Sequence, residues 1–379
     1  MAAQDTQAMI RAMIGDDFHA KRVLSLGAAV DGVMSAASLS VSAIGRALAD
    51  EYELDTKHAT KQVDRLLSNA KVNVQQLTAR YARYIVGARK DIVVALDWTE
   101  FDADDHSTLV LALVSAHGRA LPLMWKTVQK SDLKGKRNAI ESELIEHLHK
   151  ALDPEIVVTL LADRGFGAQT RYAHLELLGW YYVIRFKASV TVTNAAGESR
   201  PAGTWLGPRG KAVQLKDAMV TKKAYDGCGV VVVHAPKMKD PWCLAYHLPA
   251  STPASKVIAL YGKRFKIEES FRDTKDARFG MGLSATRTKS PERRDRLLFI
   301  AALAQVLLTL LGAASEATGF DRRLKVNTSK KRTHSLLFQG TYWYGRIPRM
   351  MEHDLRVLMG KFDDLVREHQ LFTDVFGII

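Results

Sequence analysis

Residues 261–275 read YGKRFKIEESFRDTK, and this stretch predicts how the rest of the chain is organised. Read as one helix, the segment carries four polar residues at spacings of three, four and seven: Tyr261, Arg264, Glu268 and Lys275. At about 100° per residue they fall within an arc of roughly 60°. A carboxylate between cations and a phenol suits a metal-binding acid held beside a polyanion. The alternative is an ordinary amphipathic helix with a solvated charged face.

Two further carboxylates end apolar runs upstream and favour the first interpretation. Asp97 ends the run IVVALD, and Asp163 ends the run EIVVTLLAD. Both runs have the composition of buried strands. Three carboxylates on two strand ends and a helix can hold hard divalent cations through oxygen. For any single aspartate, a cap or turn at the strand end would be the more ordinary explanation.

The residues of this constellation resemble a known family. The pattern Tyr261-x2-Arg264-x3-Glu268-x6-Lys275 is similar to the Tyr-Arg-Glu-Lys signature of bacterial DDE transposases of the insertion-sequence-four family, which includes the Tn-five and Tn-ten types. Asp97 in ALDWT and Asp163 in ADRGF match that family's first and second catalytic aspartate blocks. The resemblance runs from about residue 90 to about residue 345, and the two ends of the chain match loosely.

The resemblance implies an α/β fold with a ribonuclease-H-like catalytic core, a β-rich insertion, a helical N-terminal DNA-binding domain and a C-terminal helix. The periodicity of the chain agrees with the strand and helix order of that core. Predicted strands lie at 91–98, 107–116, 121–128, 155–162 and 180–187, and predicted helices at 138–152 and 169–178. The predicted domains are 1–75, 85–187 (core, first part), 188–252 (insertion), 253–318 (core, second part) and 319–379 (basic segment and C-terminal helix).

Helical periodicity before residue 75 predicts two short helices at 40–50 and 57–67, separated by a polar break. The second carries Lys61 and Arg65 and starts at a capping residue, which is typical of a helix-turn-helix. The alternative is a plain helical bundle that supports the core. The resemblance favours DNA binding, because this region binds the transposon ends in that family.

The chain has 379 residues, 47% of them hydrophobic, which is enough for a sizeable core and two or three domains. The net charge of +13 is concentrated in two segments. Residues 256–296 carry twelve Lys or Arg against six Asp or Glu, and residues 321–349 carry eight against one. A polyanion is therefore expected along these segments. An anionic membrane is the rival partner, but neither segment is a clean basic amphipathic helix.

The apolar run 297–314 is at the lower length limit for a membrane span, and we predict a buried core helix instead. The two cysteines, Cys228 and Cys243, belong to no metal-binding pattern, so free thiols are expected. The chain does not open like a signal peptide. The expected location is the bacterial cytoplasm, with the protein on the nucleoid when it binds DNA and with no membrane partner.

The resemblance also implies the chemistry. Asp97 would bridge two Mg²⁺ ions, with Asp163 on one ion and Glu268 on the other, and Mn²⁺ would substitute. Two such ions can assist both the attacking and the leaving oxygen of a phosphodiester. Arg264 and Lys275 would hold phosphates beside the scissile bond, and Tyr261 would donate to a phosphate or hold a sugar. The alternative is pairing within the helix, for instance of Arg264 with Glu268, which could exist without DNA and orient the acid.

Further DNA contacts are predicted outside the signature. Lys330, Lys331 and Arg332 form a basic loop, for which a merely solvated loop is the alternative. Trp242, in KDPWCLAYHLP, would stack on a flipped base by resemblance to Tn-five relatives, or else be buried in the insertion. A homodimer on two DNA ends is expected, with the C-terminal helix (Leu355, Leu358 and Leu365) as the candidate contact.

These features together predict a cut-and-paste transposase that binds terminal inverted repeats, cleaves both ends and joins the 3′ ends to target DNA. Two alternatives stay open at this stage. One is a metal-dependent nuclease on the same fold without strand transfer. The other is a non-catalytic, transposase-derived DNA-binding repressor.

Overall fold

The computed structural model describes residues 3–14, 18–220, 225–236, 238–278 and 280–377, and its centre is a single mixed β-sheet. The strands in chain order are β1 (Asp91–Phe101), β2 (His106–Val114), β3 (Ala120–Gln129), β4 (Val157–Ala162), β5 (Tyr181–Phe186), β6 (Thr191–Thr193), β7 (Ser199–Pro201), β8 (Val213–Val220), β9 (Tyr225–Val233) and β10 (Trp242–His247). In the described residues they lie in the order β3-β2-β1-β4-β5-β10-β9-β8-β6-β7.

Helices cover the sheet and form the N- and C-terminal parts of the chain. They are α1 (Ala3–Ile14), α2 (Ala20–Ala36), α3 (Val41–Tyr52), α4 (Thr56–Ser68), α5 (Val74–Val86), α6 (Arg137–Ala151), α7 (Gln169–Leu177), α8 (Ala254–Gly262), α9 (Lys266–Lys275), α10 (Pro291–Ala317), α11 (Leu336–Tyr344), α12 (Glu352–Arg367) and α13 (His369–Phe376). The strands and helices predicted between 91 and 187 are confirmed to within a few residues.

The first five strands have the connections that the sequence predicts. Strands β1, β2 and β3 form an antiparallel meander. Helix α6 connects β3 to β4 and α7 connects β4 to β5, so that β1, β4 and β5 run parallel. Strand β2 is buried at every position, as expected for a strand covered on both faces. This arrangement is consistent with a ribonuclease-H-like core.

The β-rich insertion does not form a separate layer. Its last strand, β10, pairs antiparallel with β5, opposing Cys243 to Phe186. Strands β9, β8, β6 and β7 then continue the same sheet. The physical reason is that β5 would otherwise leave a row of unpaired backbone groups at the edge of the core. The predicted domain boundaries themselves stay predictions.

The long helix α10 is the centre of the hydrophobic core. It is long and apolar enough to cross a membrane, but 89% of its most apolar window is buried within the protein. It packs against β3, α2, α11 and α12. The predicted buried core helix is therefore confirmed. Cys228 and Cys243 are both buried, and they do not form a disulfide with each other.

Helices α3 and α4 pack against each other across a short turn. Glu53 ends α3 in the left-handed conformation, and Asp55 caps α4 by accepting a hydrogen bond from the backbone N–H of His58. This unit is tied to the core through α10, because Arg293 Nη2 lies 2.7 Å from Asp64 Oδ1. Arg296 Nη1 also donates to a carbonyl of α4, that of Leu67.

Two glycines allow α10 and α11 to approach each other at backbone distance. A β-carbon on Gly312 would lie 1.9 Å from the carbonyl oxygen of Leu336, and one on Gly340 would lie 1.8 Å from that of Leu308. Real β-carbons do not approach backbone atoms this closely, so a side chain at either position forces the helices apart.

We expect Gly340→Ala to lower the free energy of unfolding by about 3 kcal/mol or more, because the added methyl group overpacks a backbone contact. Gly360→Ala is the matched control: it lies exposed on α12 with open space around it. There, alanine should stabilise the helix by up to about 1 kcal/mol. Urea unfolding of both variants checks the pair, and equal stabilities would contradict the close helix crossing.

Candidate active site

Two of the predicted acids lie side by side at the end of one parallel strand pair. Leu96 on β1 pairs with Ala162 on β4, and each aspartate is the next residue along its chain. The Asp97 side chain is 21% exposed and that of Asp163 is 34% exposed, so both reach solvent from the sheet. The Asp97 carboxylate is oriented by the backbone N–H of Trp98, which donates to Oδ1 at 2.9 Å.

The signature segment is not one regular α-helix, so that part of the prediction was wrong. Helix α8 ends at Gly262, a tighter 3₁₀ turn covers Lys263–Phe265, and α9 starts at Lys266. The tighter turn changes the direction of the side chains relative to a uniform helix. Three of the four signature residues still converge on the aspartates.

Arg264 contacts two of the three acids at once. Its Nη1 lies 3.1 Å from Asp97 Oδ2, and its Nη2 lies 2.6 Å from Glu268 Oε1. The arginine side chain is only 4% exposed, whereas that of Glu268 is 50% exposed. The guanidinium also lies over the ring of Phe265, 4.6 Å from its centroid. A single buried cation therefore holds Asp97 and Glu268 together.

Tyr261 positions the third acid. Its hydroxyl donates to Asp163 Oδ1 at 3.1 Å, and Arg185 Nη1 lies 3.9 Å from the same oxygen. The Trp242 ring packs edge-on against Tyr261, with centroids 4.8 Å apart, and its face lies 6.0 Å from the Phe265 ring. Trp242 is half-buried, so it is neither wholly inside the insertion nor free in solvent.

Lys275 lies apart from the acids. Its ammonium donates to Thr99 Oγ1 at 3.1 Å and to the carbonyl of Glu100 at 2.7 Å, and it lies 4.8 Å from the centroid of the Phe101 ring. Burial lowers the pKa of Lys275. The structure thus brings together Asp97, Asp163, Glu268, Tyr261 and Arg264, and fixes Lys275 further along β1.

Burial controls the electrostatics of the site. It raises the pKa of Asp97 to about 6, while Arg264 and the Trp98 N–H act in the opposite direction. Burial also raises the pKa of Tyr261, so the phenol remains a hydrogen-bond donor. Burial disfavours the charged form of Arg264. The neighbouring Tyr261, Asp97 and Asp163 outweigh this effect, so the pKa of Arg264 is raised.

The donor set fits a hard divalent cation, because all three acids offer carboxylate oxygens, the ligands that Mg²⁺ prefers. In the described part of the chain, however, no three acids, histidines or cysteines stand close enough together to hold a metal ion. The guanidinium of Arg264 instead donates to one oxygen of Asp97 and to one oxygen of Glu268.

The other predicted contact residues lie on two basic surfaces. Lys61 and Arg65 are exposed on α4 and line an open groove together with Arg22 on α2 and His58. In the C-terminal loop, Lys330 and Lys331 are exposed. Arg332 is instead engaged in a two-point ion pair with Glu316 at the end of α10.

Two residues of the site were missed by the sequence analysis. Phe265 is 40% exposed beside Trp242, and its position directly after Arg264 was the available signal. Arg185 approaches Asp163 only because β5 lies next to β4, which sequence periodicity does not reveal.

A family model described as the transposase DDE domain matches residues 88–307. The matched region begins just before β1, includes Asp97, Asp163 and Glu268, and ends within α10. No curated protein matches the chain.

The raised pKa of Asp97 gives a pH prediction. The folded protein binds the proton of Asp97 more tightly than the unfolded chain does, which stabilises the fold. This stabilisation is fully present below the ordinary pKa of about 3.9 and is lost as the pH rises through about 6. This difference of about two between the two pKa values of Asp97 corresponds to about 2–3 kcal/mol of unfolding free energy. Relative to Asp97→Asn, the unchanged protein should therefore lose about that much unfolding free energy between about pH 3.5 and about pH 8. Urea unfolding across this range checks it, and a pH-independent difference would contradict it.

Proposed function

The chain belongs to the transposase DDE domain family, and on that premise we propose that it is a cut-and-paste DNA transposase of the insertion-sequence-four type. The observation that carries the proposal is the convergence of Asp97, Asp163 and Glu268 with Arg264 and Tyr261 at one end of the β1–β4 pair. We propose that these acids hold two Mg²⁺ ions, or Mn²⁺ in their place. Such ions supply Lewis-acid stabilisation to the attacking and leaving oxygens of a phosphodiester.

The residues around the acids account for substrate positioning in this proposal. Arg264 presents a planar guanidinium that can bind a phosphate through two hydrogen bonds. Tyr261 keeps its proton and can exchange Asp163 for a phosphate or sugar oxygen. Arg185 adds positive charge on the Asp163 side. Lys275 would have to leave its contacts with Thr99 and Glu100 on β1 before it could bind the phosphate predicted for it.

An aromatic pair lies at the edge of the site. Trp242 and the half-exposed Phe265 lie face to face beside Arg264. Stacking on an aromatic ring stabilises an unpaired base by about 1–3 kcal/mol without regard to sequence. We therefore keep Trp242 as the proposed platform for a flipped base.

DNA outside the cleavage site is assigned to the basic surfaces. We propose that α3 and α4 bind the terminal inverted repeats, with Lys61 and Arg65 on phosphates. Lys330 and Lys331 would follow the backbone of bound DNA, including target DNA. Arg332 is a weaker candidate, because its guanidinium already pairs with Glu316.

Concerted cutting of two ends favours a homodimer on paired DNA. The sequence predicted that α12 forms this contact. However, Leu358 and Leu365 are buried in this chain's own core and are not accessible to a partner. We therefore propose the dimer without that contact. Bacterial cytoplasm, with the protein on the nucleoid, remains the proposed location.

The alternatives are weaker. A non-catalytic repressor would not need three acids brought together at one strand end. A nuclease without strand transfer has the same site, so chemistry must separate it from a transposase. The test is to incubate the protein with DNA carrying the ends that flank its own coding sequence, Mg²⁺ and a target plasmid. Joined 3′ ends support the transposase, and cleavage without joining supports the nuclease.

Replacing Asp97, Asp163 or Glu268 by Ala should slow cleavage by about a thousandfold or more. The metal ions stabilise the transition state by several kcal/mol, and 1.4 kcal/mol corresponds to about tenfold in rate. DNA-end binding should be nearly unchanged, because phosphate contacts carry affinity. Denaturing gels and filter binding measure the two quantities.

The matched control is Glu269→Ala. Glu269 is the next residue on α9, but in the described contacts it pairs with Arg272 and Arg119, whereas Glu268 pairs with Arg264. We expect this variant to cleave nearly normally. Substantial nicking by Glu268→Ala, or an equal loss in Glu269→Ala, would remove the catalytic assignment.

The exposed lysines give a salt prediction. Changing Lys330 and Lys331 to Gln should make the plot of log affinity against log salt shallower by about 1.8, since each phosphate contact contributes about 0.9. A control that removes two charges outside both basic segments, Lys150→Gln with Lys361→Gln, should leave the slope unchanged. If the two double variants behave alike, the loop is only a solvated segment.

A further inference from the structure

The position of the Arg264 guanidinium bears on when the site can accept a metal ion. Its two terminal nitrogens donate to Asp97 Oδ2 and Glu268 Oε1, and the side chain is almost fully buried. Among the described residues, its Nε has no hydrogen-bond partner. The two carboxylates thus accept the hydrogen bonds that hold the arginine side chain, and its third nitrogen contributes none among the described residues.

The arginine and a divalent cation need the same acceptor atoms. A hard cation binds through carboxylate oxygens, and two of the three acids have one oxygen each committed to Arg264. A metal ion would also repel the guanidinium at short range. Metal binding at Asp97 and Glu268 therefore requires Arg264 to give up at least part of these contacts.

The third acid differs in this respect. Asp163 is held mainly by the neutral hydroxyl of Tyr261, and its ion pair with Arg185 is long, at 3.9 Å. Lys275 is committed to Thr99 and the carbonyl of Glu100. Within the described residues, Arg264 is accordingly the cation that pairs directly with more than one acid of the site.

A phosphate is the natural acceptor for a guanidinium that leaves two carboxylates. Both groups are anionic and offer paired oxygens to the same planar donor. We propose that Arg264 is a positioning residue that withholds Asp97 and Glu268 from the divalent cation until a DNA phosphate takes its guanidinium. This inference rests on the proposed function, since it needs both DNA and metal at the site.

The consequence is a reciprocal coupling between the two ligands. Because DNA removes a competitor of the metal, DNA tightens metal binding, and metal tightens DNA binding by the same factor. A merely structural role for Arg264 makes a different prediction. Its loss would then weaken the fold and leave metal affinity unchanged or lower.

The test is Mn²⁺ binding to the full chain by calorimetry and by the electron paramagnetic resonance signal of free Mn²⁺, with no DNA present. We expect Arg264→Gln to bind Mn²⁺ about tenfold or more tightly than the unchanged chain, within the usual range of coupling between sites. Adding a short mixed-sequence duplex should tighten Mn²⁺ binding to the unchanged chain by a similar factor. The duplex should have little effect on Arg264→Gln.

Arg272→Gln is the matched control, because it removes the same charge from the exposed face of α9 and pairs only with Glu269 in the described contacts. It should bind Mn²⁺ like the unchanged chain. Should Arg264→Gln fold poorly, Arg264→Lys provides the second test. A lysine can pair closely with one carboxylate at a time, so its Mn²⁺ affinity should be intermediate.

The outcomes separate the inference from the proposed function. Equal Mn²⁺ affinity for the unchanged chain and Arg264→Gln, with binding abolished by Asp97→Asn, overturns the role of Arg264 and keeps the metal site. Equal tightening in Arg272→Gln overturns it as well, since charge alone would then explain the effect. Failure of every variant to bind Mn²⁺, with or without the duplex, overturns both.

Discussion

The parallel pairing of β1 with β4 ends at Leu96 and Ala162, and every feature of the site depends on that register. Asp97 and Asp163 follow immediately, so two carboxylates meet where the pairing of β1 with β4 stops, while β1 continues to pair with β2. A shift of one residue would turn one aspartate to the other face of the sheet. The buried strands around this pair, with Leu96, Ala162 and the whole of β2 inaccessible, make such a shift costly.

Glu268 is held near the two aspartates by contacts on the opposite side of its helix, α9. Ser270 on α9 accepts from the N–H of Ala120 and donates to its carbonyl, which satisfies the edge strand β3. Arg119 pairs with Asp273 at 2.6 Å, although burial raises the pKa of that carboxyl. These polar contacts fix α9 on the sheet edge and leave Glu268 facing Asp97 across Arg264.

The sequence predicted the strands and helices between residues 91 and 187 and placed Asp97 and Asp163 beside strand ends, because these features depend on local periodicity. It did not predict the 3₁₀ turn at Lys263–Phe265, since the backbone angles around it remain helical, including those of Gly262 directly before it. Nor did it place the Lys275 ammonium or Arg185. Their positions depend on partners far along the chain, which only the sheet order brings near.

The pairing of β10 with β5 gives the insertion a role in solubility. An engineered chain that lacked residues 188–252 would end the sheet at β5, whose backbone groups from Tyr182 to Phe186 would lose their partners. Unpaired edges of this kind recruit other chains and promote aggregation. The insertion thus acts as a protective cap for the first five strands, and a shortened insertion would be tolerated only while that edge stays covered.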